Sequence, residues 1–416
     1  MKDQPQVFTM ESQSINEKYK TDYLFLLVGG NPLPNLVAAR LLAKDDCQIF
    51  LLKTKQTSEI AKLLEEQIIA GEIRVHVTAR EIDEANGRSI ENKLKNEILN
   101  DISPEKSVGL NYTGGTKPMA VHSYRVFKER FQNCCFSYLD ARTLKMFISY
   151  GDEPTQSPYV GDKVRLSLQD IVALHGYYLN NLRTQPQFSE LYRPLTQVHS
   201  NIEGIKEWRE WDRGWLRTRD LTVLPIREQY PNLKPVIEAF EKFNNSPTNI
   251  ASYLGQQDIN SCRKWFDGEW LEEYVLDELS KIIDEIGIHS YGIDLRPLRN
   301  SKKKKSSSDK EEGDFQLDLA AMRGYQLFAI SCIASRRADG ETKNHLFQAY
   351  VRARQLGGDE ARVALVCCVE NPKDVQKEVE KSWDANGKIR VFGRTDLLNL
   401  SKSLKGWFET ANQESL

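Results

Sequence analysis

The stretch SVGLNYTGGTKPMAVHSYRVFKERF, residues 107–131, changes its period in the middle. As far as Thr113 it reads as a short extended run, and behind the glycine pair a proline-led segment carries apolar residues at helical spacing. A strand that passes straight into a helix is the unit of a parallel sheet covered by helices.

Working outward, the alternation repeats on both sides. TDYLFLLVGG (21–30) reads as a buried strand, NPLPNLVAARLL (31–42) as a helix entered through prolines, and DCQIFLLKT (46–54) as the next strand. SEIAKLLEEQII (58–69) is helical, IRVHVT (73–78) extended and SIENKLKNEILN (89–100) helical, while CCFSYLD (134–140) and KMFISY (145–150) close the set. This pattern predicts an α/β fold with a Rossmann-like domain over residues 21–160, behind a flexible N-terminus at 1–20. Residues 161–260 read as a helical connector. There Trp208, Trp211 and Trp215 fall at helical spacing, which predicts a packed or dimer-facing stripe rather than a base-stacking platform. From 261 to 416 a second α/β domain is expected, ordered helix, three strands, helix, strand, with a hairpin turning at Arg323 and Gly324.

A chain of 416 residues has room for two domains and a connector. Its net charge of -2 excludes a globally basic protein, so nucleic acid would be held by a local patch or through metal ions. The obvious patch, Lys302 to Lys305, lies in a polar stretch that reads as a solvated loop. Seven cysteines without a CxxC pair predict neither a disulfide framework nor a zinc site. Polar residues at 1–20 and no long apolar run predict a cytoplasmic protein with no membrane segment.

Two strand ends carry glycine pairs: Gly29-Gly30-Asn31 and Thr113-Gly114-Gly115-Thr116-Lys117. Each opens a helix, whose first N–H groups and dipole attract anions, and glycine lets a phosphate approach the backbone closely. Thr113 and Thr116 add hydroxyls and Lys117 a point charge. Neither loop has P-loop or dinucleotide-fingerprint spacing.

The pairing of GGNPLPN with NYTGGTKPMA resembles the CARF domain of CRISPR-associated effectors. The resemblance implies a cyclic oligoadenylate ligand, with cyclic tetra-adenylate the common choice where a nuclease follows, bound across the axis of a homodimer. The contacts it implies are Gly29, Gly30, Asn31, Asn35, Thr113, Gly114, Gly115, Thr116 and Lys117.

The C-terminal order of elements, opened by GEWLEEYV (268–275), resembles the PD-(D/E)xK nuclease fold of CARF-linked nucleases. It implies a metal-dependent endonuclease acting on RNA or DNA, with magnesium or manganese held by carboxylates. Asp318 matches the strand carboxylate and Glu272 the helix glutamate, with Glu269 and Glu273 as neighbours. Where the pattern has E-x-K this chain reads Ser331-Cys332-Ile333. Two explanations compete: a catalytically inactive scaffold that only senses the signal, or a lysine moved to the following helix, near Glu341 and Lys343. The catalytic set expected on the second reading is Glu272, Asp318, Ser331 and Lys343, while Arg352 and Arg354 read as packing or ion-pair residues. A CARF-linked transcription regulator and an unrelated nucleotide-binding enzyme are the further alternatives.

Overall fold

The computed structural model describes residues 15–100, 102–103, 105–180, 182–218, 224–299, 315–334, 339–383 and 385–412, the side chains of 213–218 and 339–341 excepted. The readings of residues 1–14, of Lys302 to Lys305, and of the Trp215 and Glu341 side chains lie outside these residues. Residues 15–20, expected to be flexible, instead include a tight turn at Glu17–Tyr19, with Tyr19 buried edge-on to Tyr150. The chain divides into two compact units, Met1–Leu166 with Ala173–Gly176, and Ser167–Val172 with Tyr177–Leu416.

The first unit runs β1 (Thr21–Leu27), α1 (Leu33–Leu42), β2 (Ala43–Lys53), α2 (Ser58–Ile69), β3 (Val75–Glu81), α3 (Gly87–Lys93), β4 (Val108–Asn111), α4 (Lys117–Arg130), β5 (Cys135–Asp140) and β6 (Lys145–Tyr150). Its sheet is ordered β3-β2-β1-β4-β5-β6, parallel except for the antiparallel β5–β6 edge pair. Strand order reverses between β1 and β4, which makes the carboxyl ends of these two strands the topological switch point of the sheet. Burial on both faces explains the apolar run from Leu24 to Val28. One face packs Phe25, stacked on Phe50 at 4.6 Å, against Phe127 of α4 at 4.8 Å. At the opposite end of the same strand pair, Asp22 Oδ2 accepts the Ser107 N–H at 2.9 Å, its hydroxyl at 2.6 Å and Lys44 Nζ at 3.1 Å.

The second unit begins with α5 (Leu168–Ala173), which falls at the division, and β7 (Tyr177–Tyr178). It continues through α6 (Ser189–Ser200), α7 (Ile202–Thr218), α8 (Lys234–Glu241), α9 (Pro247–Tyr253), α10 (Trp270–Ser280) and α11 (Ile283–Ile286). The strands β8 (Ser290–Leu295), β9 (Leu298–Arg299), β10 (Leu317–Arg323) and β11 (Gln326–Ile333) precede α12 (Asp339–Gly357), β12 (Arg362–Cys367), α13 (Pro372–Trp383), β13 (Ile389–Phe392) and α14 (Leu400–Thr410). The sheet is ordered β13-β12-β11-β10-β8, with β8, β10 and β11 antiparallel neighbours and β11, β12 and β13 parallel. Arg323 pairs with Gln326, so the expected hairpin turns at Gly324 and Tyr325, one residue later than its reading.

Residues read as a connector are built into this unit. Tyr192, Trp208, Trp211 and Phe240 share one apolar core with Trp270, Phe328, Val366 and Phe408. Trp208 and Trp211 are packed against each other at 4.9 Å, which accounts for their spacing by burial alone. Arg362 is fully buried in the same unit. Its Nε donates to the Ala411 carbonyl at 2.9 Å and its Nη1 to those of Glu360 at 2.8 Å and Ala361 at 3.1 Å. Burial draws its pKa down to about 10, and these carbonyls compensate the charge it keeps. Among the described residues, no helix is long and apolar enough to cross a membrane.

Candidate functional site

The two glycine loops meet at the switch point of the first unit. A Cβ at Gly114 would lie 2.2 Å from the Leu27 carbonyl and 3.1 Å from the Gly29 N–H, and one at Gly29 would lie 2.9 Å from the Gly115 nitrogen. Gly115 has φ +75°, which side chains rarely adopt. The β1–α1 and β4–α4 loops therefore touch backbone to backbone, and only glycine permits it. Gly30 and Lys117 are exposed, while Gly29 and Asn31 are half-buried.

The polar side chains of the loops shape the backbone. Asn31 Oδ1 accepts the Leu33 N–H at 3.1 Å, and Thr116 Oγ1 accepts the Met119 N–H at 3.3 Å, so each helix start is capped from within its loop. Thr113 Oγ1 accepts the Leu139 N–H at 2.8 Å, fastening the β4 end to β5. The Thr116 hydroxyl donates to the Glu84 carbonyl. Asn35 is fully buried in α1, unlike a residue that touches a ligand directly. Its Nδ2 donates to the Leu27 carbonyl at 3.0 Å, and its Oδ1 is buried without a partner among the described residues. It forms the floor under both loops. Beyond Glu84 the carboxyl ends of β2 and β3 border a polar cleft of about 960 Å³ lined by Thr54, Asp83, Asn86, Arg88 and Lys93 among others. Its size suits a nucleotide-sized ligand.

In the second unit the β10–β11 ladder ends at the Leu319–Ile330 pair, and Asp318 stands just beyond it. Its Oδ2 accepts the Ser331 hydroxyl at 2.9 Å and the Cys332 N–H at 2.8 Å, closing the gap where the strands part. Glu272, in the first turn of α10, reaches the same region. Burial first, and then the charges of Asp318, Glu269 and Asp294, hold its carboxyl well above the usual range. Burial also raises Asp318, against the opposing pull of the Cys332 N–H and the Ser331 hydroxyl.

The other carboxylates of α10 have partners. Glu273 Oε2 accepts from Arg183 Nη1 at 2.8 Å and from the Gln187 N–H at 2.8 Å, Asp277 pairs with Arg193 at 3.2 Å, and Glu278 accepts from the Ser401 N–H at 3.2 Å. Glu272 has no such partner among the described residues. Two mutually repelling carboxylates without a cation between them fit a hard divalent ion. Among the described residues no three His, Cys, Asp or Glu side chains form a closed cage, so an ion there would complete its shell with water and phosphate oxygens, as magnesium commonly does.

Lys343 does not join this group. Its Nζ pairs with Glu378 of α13 at 2.6 Å, so the expectation that it stands in for the strand lysine is not met. The reason is the phase of α12. With Leu346, Ala349, Ala353 and Leu356 buried against the sheet, Lys343 emerges on the α13 side, where Phe347 and Tyr350 also pack on Trp383. The positive charges that act on Asp318 come from His345 and Arg352, on the other shoulder. Their spacing of two helical turns was the signal available in the sequence.

The model of the Card1 CARF domain family matches residues 24–170. No curated protein matches the chain in sequence. Among solved structures, the protein VC1899 from Vibrio cholerae is similar over 94% of this chain and 99% of its own, at 18% identity and a TM-score of 0.66. Can2 from Sulfobacillus thermosulfidooxidans, solved in complex with cyclic tetra-adenylate, is similar over 93% of this chain and 99% of its own, at 16% identity and a TM-score of 0.65. The whole architecture, both units included, is therefore one that other proteins also adopt, and the N-terminal unit with its paired glycine loops is a CARF domain of the Card1 kind.

Proposed function

We propose that the chain is a homodimeric CRISPR-associated effector that binds a cyclic oligoadenylate, cyclic tetra-adenylate first among them, and in response cuts RNA or DNA with a divalent metal. The observation that carries the reading is the contact of the two glycine loops at the switch point of a CARF domain. It presents two helix N-termini and Lys117 to one anionic ligand. Can2, a protein of the same fold, was solved with cyclic tetra-adenylate, which supports that choice of ligand. A ligand with a twofold axis also suits an isologous dimer.

For the cutting step, Asp318 and Glu272 would hold manganese or magnesium, and Ser331 would orient Asp318 through its hydroxyl. The ion supplies polarisation of the phosphodiester and activation of a water. The protein supplies the two carboxylates and the Cys332 N–H that fixes one Asp318 oxygen. A second reading, a sensor without nuclease activity, is favoured by Ser331 at the usual acidic position and by the engagement of Lys343 with Glu378.

The deciding experiment incubates the protein with labelled RNA and DNA, each cyclic oligoadenylate, and manganese or magnesium. Cleavage that needs both activator and metal, and that Asp318→Asn abolishes, is the expected result. Activator binding without cleavage of any substrate selects the sensor. In the same preparation, Lys117→Ala should weaken activator binding by about tenfold or more, since a charged hydrogen bond is worth roughly 1.5 to 3 kcal/mol. Calorimetric titration reads this directly, and an unchanged affinity would remove Lys117 from the site.

A further inference from the structure

A phosphodiester entering the Asp318 region meets carboxylates on several sides. The strand position where its cation is expected carries Ile333, and Lys343 is turned to α13. The cation has to come from another place. Helix α12 divides its basic side chains between two shoulders. Lys343 and Arg354 lie on one, the latter ion-paired with Asp359. His345 and Arg352 lie on the other, and the sheet order β12-β11-β10 makes that shoulder the side of Asp318.

Arg352 is fixed there. Its Nη1 donates to the Gln316 carbonyl at 2.6 Å, two residues before Asp318 in the chain, and its Nη2 lies 3.4 Å from Gln348 Oε1. Gln316 is itself held, because its Nε2 donates to Asp294 Oδ1 at 3.0 Å. The clamp orients a half-buried guanidinium at the entrance of β10, and the planar fork keeps further N–H donors beyond the two engaged ones.

We infer that Arg352 is the phosphate-binding cation of the Asp318 site, with a nucleic-acid phosphodiester as its ligand. The inference rests on the nuclease reading and gives this chain a different chemistry from a strand lysine. A guanidinium binds phosphate in a bidentate manner and stays protonated, so it contributes binding and charge stabilisation but cannot take a proton from water.

The test measures fluorescence anisotropy of labelled single-stranded RNA, single-stranded DNA and duplex oligonucleotides on the full chain, with cyclic tetra-adenylate present and calcium replacing the catalytic metal. Arg352→Gln keeps a donor for the Gln316 carbonyl and loses the charge. It should weaken binding by about tenfold or more, with Arg352→Lys intermediate and Arg354→Gln at the wild-type value. Wild-type affinity in Arg352→Gln overturns the inference, and so does an equal loss in Arg354→Gln, which would mean general charge attraction. Melting curves establish that each variant is folded, and if the Gln variant is not, Arg352→Lys against Arg354→Lys makes the same comparison. Manganese-dependent cleavage is followed in parallel. A wild-type protein that binds oligonucleotide without cutting it sinks the nuclease reading and leaves Arg352 in place, whereas failure to bind any oligonucleotide overturns both.

Discussion

Asp22 illustrates how much one side chain does in a parallel sheet. Burial alone would raise its carboxyl, but the Ser107 hydroxyl and N–H and the Lys44 ammonium outweigh it and lower the pKa from 3.8 to about 2. A carboxyl depressed on folding adds stability above its unfolded value and loses it as pH falls towards the folded one. Asp22→Asn should therefore be less stable than wild type at pH 7 and no less stable near pH 2, measured by urea unfolding at both. Asn35 works by position in the same way. Asn35→Leu keeps the volume but drops the bond to the Leu27 carbonyl, and should cost about 1 to 3 kcal/mol together with weaker activator binding. The glycines and Lys117 were legible in the sequence because a helix start and a close backbone approach are local properties. The burial of Asn35 was not, since α1 is apolar nearly all round and its inward face is chosen by the sheet.

At the scale of elements, the meeting of the two loops depends on atoms that are missing. Gly114→Ala puts a methyl 2.2 Å from a backbone carbonyl that cannot rotate away, so the loops must part. The expected result is a lowered melting temperature and loss of measurable cyclic oligoadenylate binding, by scanning and titration calorimetry respectively. Wild-type behaviour would mean that the loops are looser than their contact implies. Helix α12 marks the limit of sequence reading at this scale. Its existence and its amphipathic stripe were evident, but a stripe leaves open which shoulder faces β10 and which faces α13. That choice follows from the sheet order, a long-range property, and it separates Lys343 from Asp318.

For the molecule as a whole, two cores close independently: Phe25, Leu110 and Phe127 in the first unit, Trp270, Phe328 and Phe408 in the second. Residues 15–176 expressed alone should consequently melt in one cooperative transition, followed by circular dichroism, and a broad non-cooperative loss of signal would contradict this. The alternation of strand and helix revealed the first unit from sequence, whereas the tryptophan-rich helices looked like a connector because their partners lie far along the chain. Structures at 16% and 18% identity retain the same overall course, so the pattern of burial is kept while most side chains change. Arg362 carries a practical consequence. Because its guanidinium is neutral to neither water nor oil and depends on the carbonyl of Ala411, trimming the chain before α14 would strand a charge in the interior. A protease that nicks at residues 394–399 should thus convert the second unit into an aggregation-prone species, and affinity tags or fluorescent fusions belong beyond Asn412 or at the other terminus.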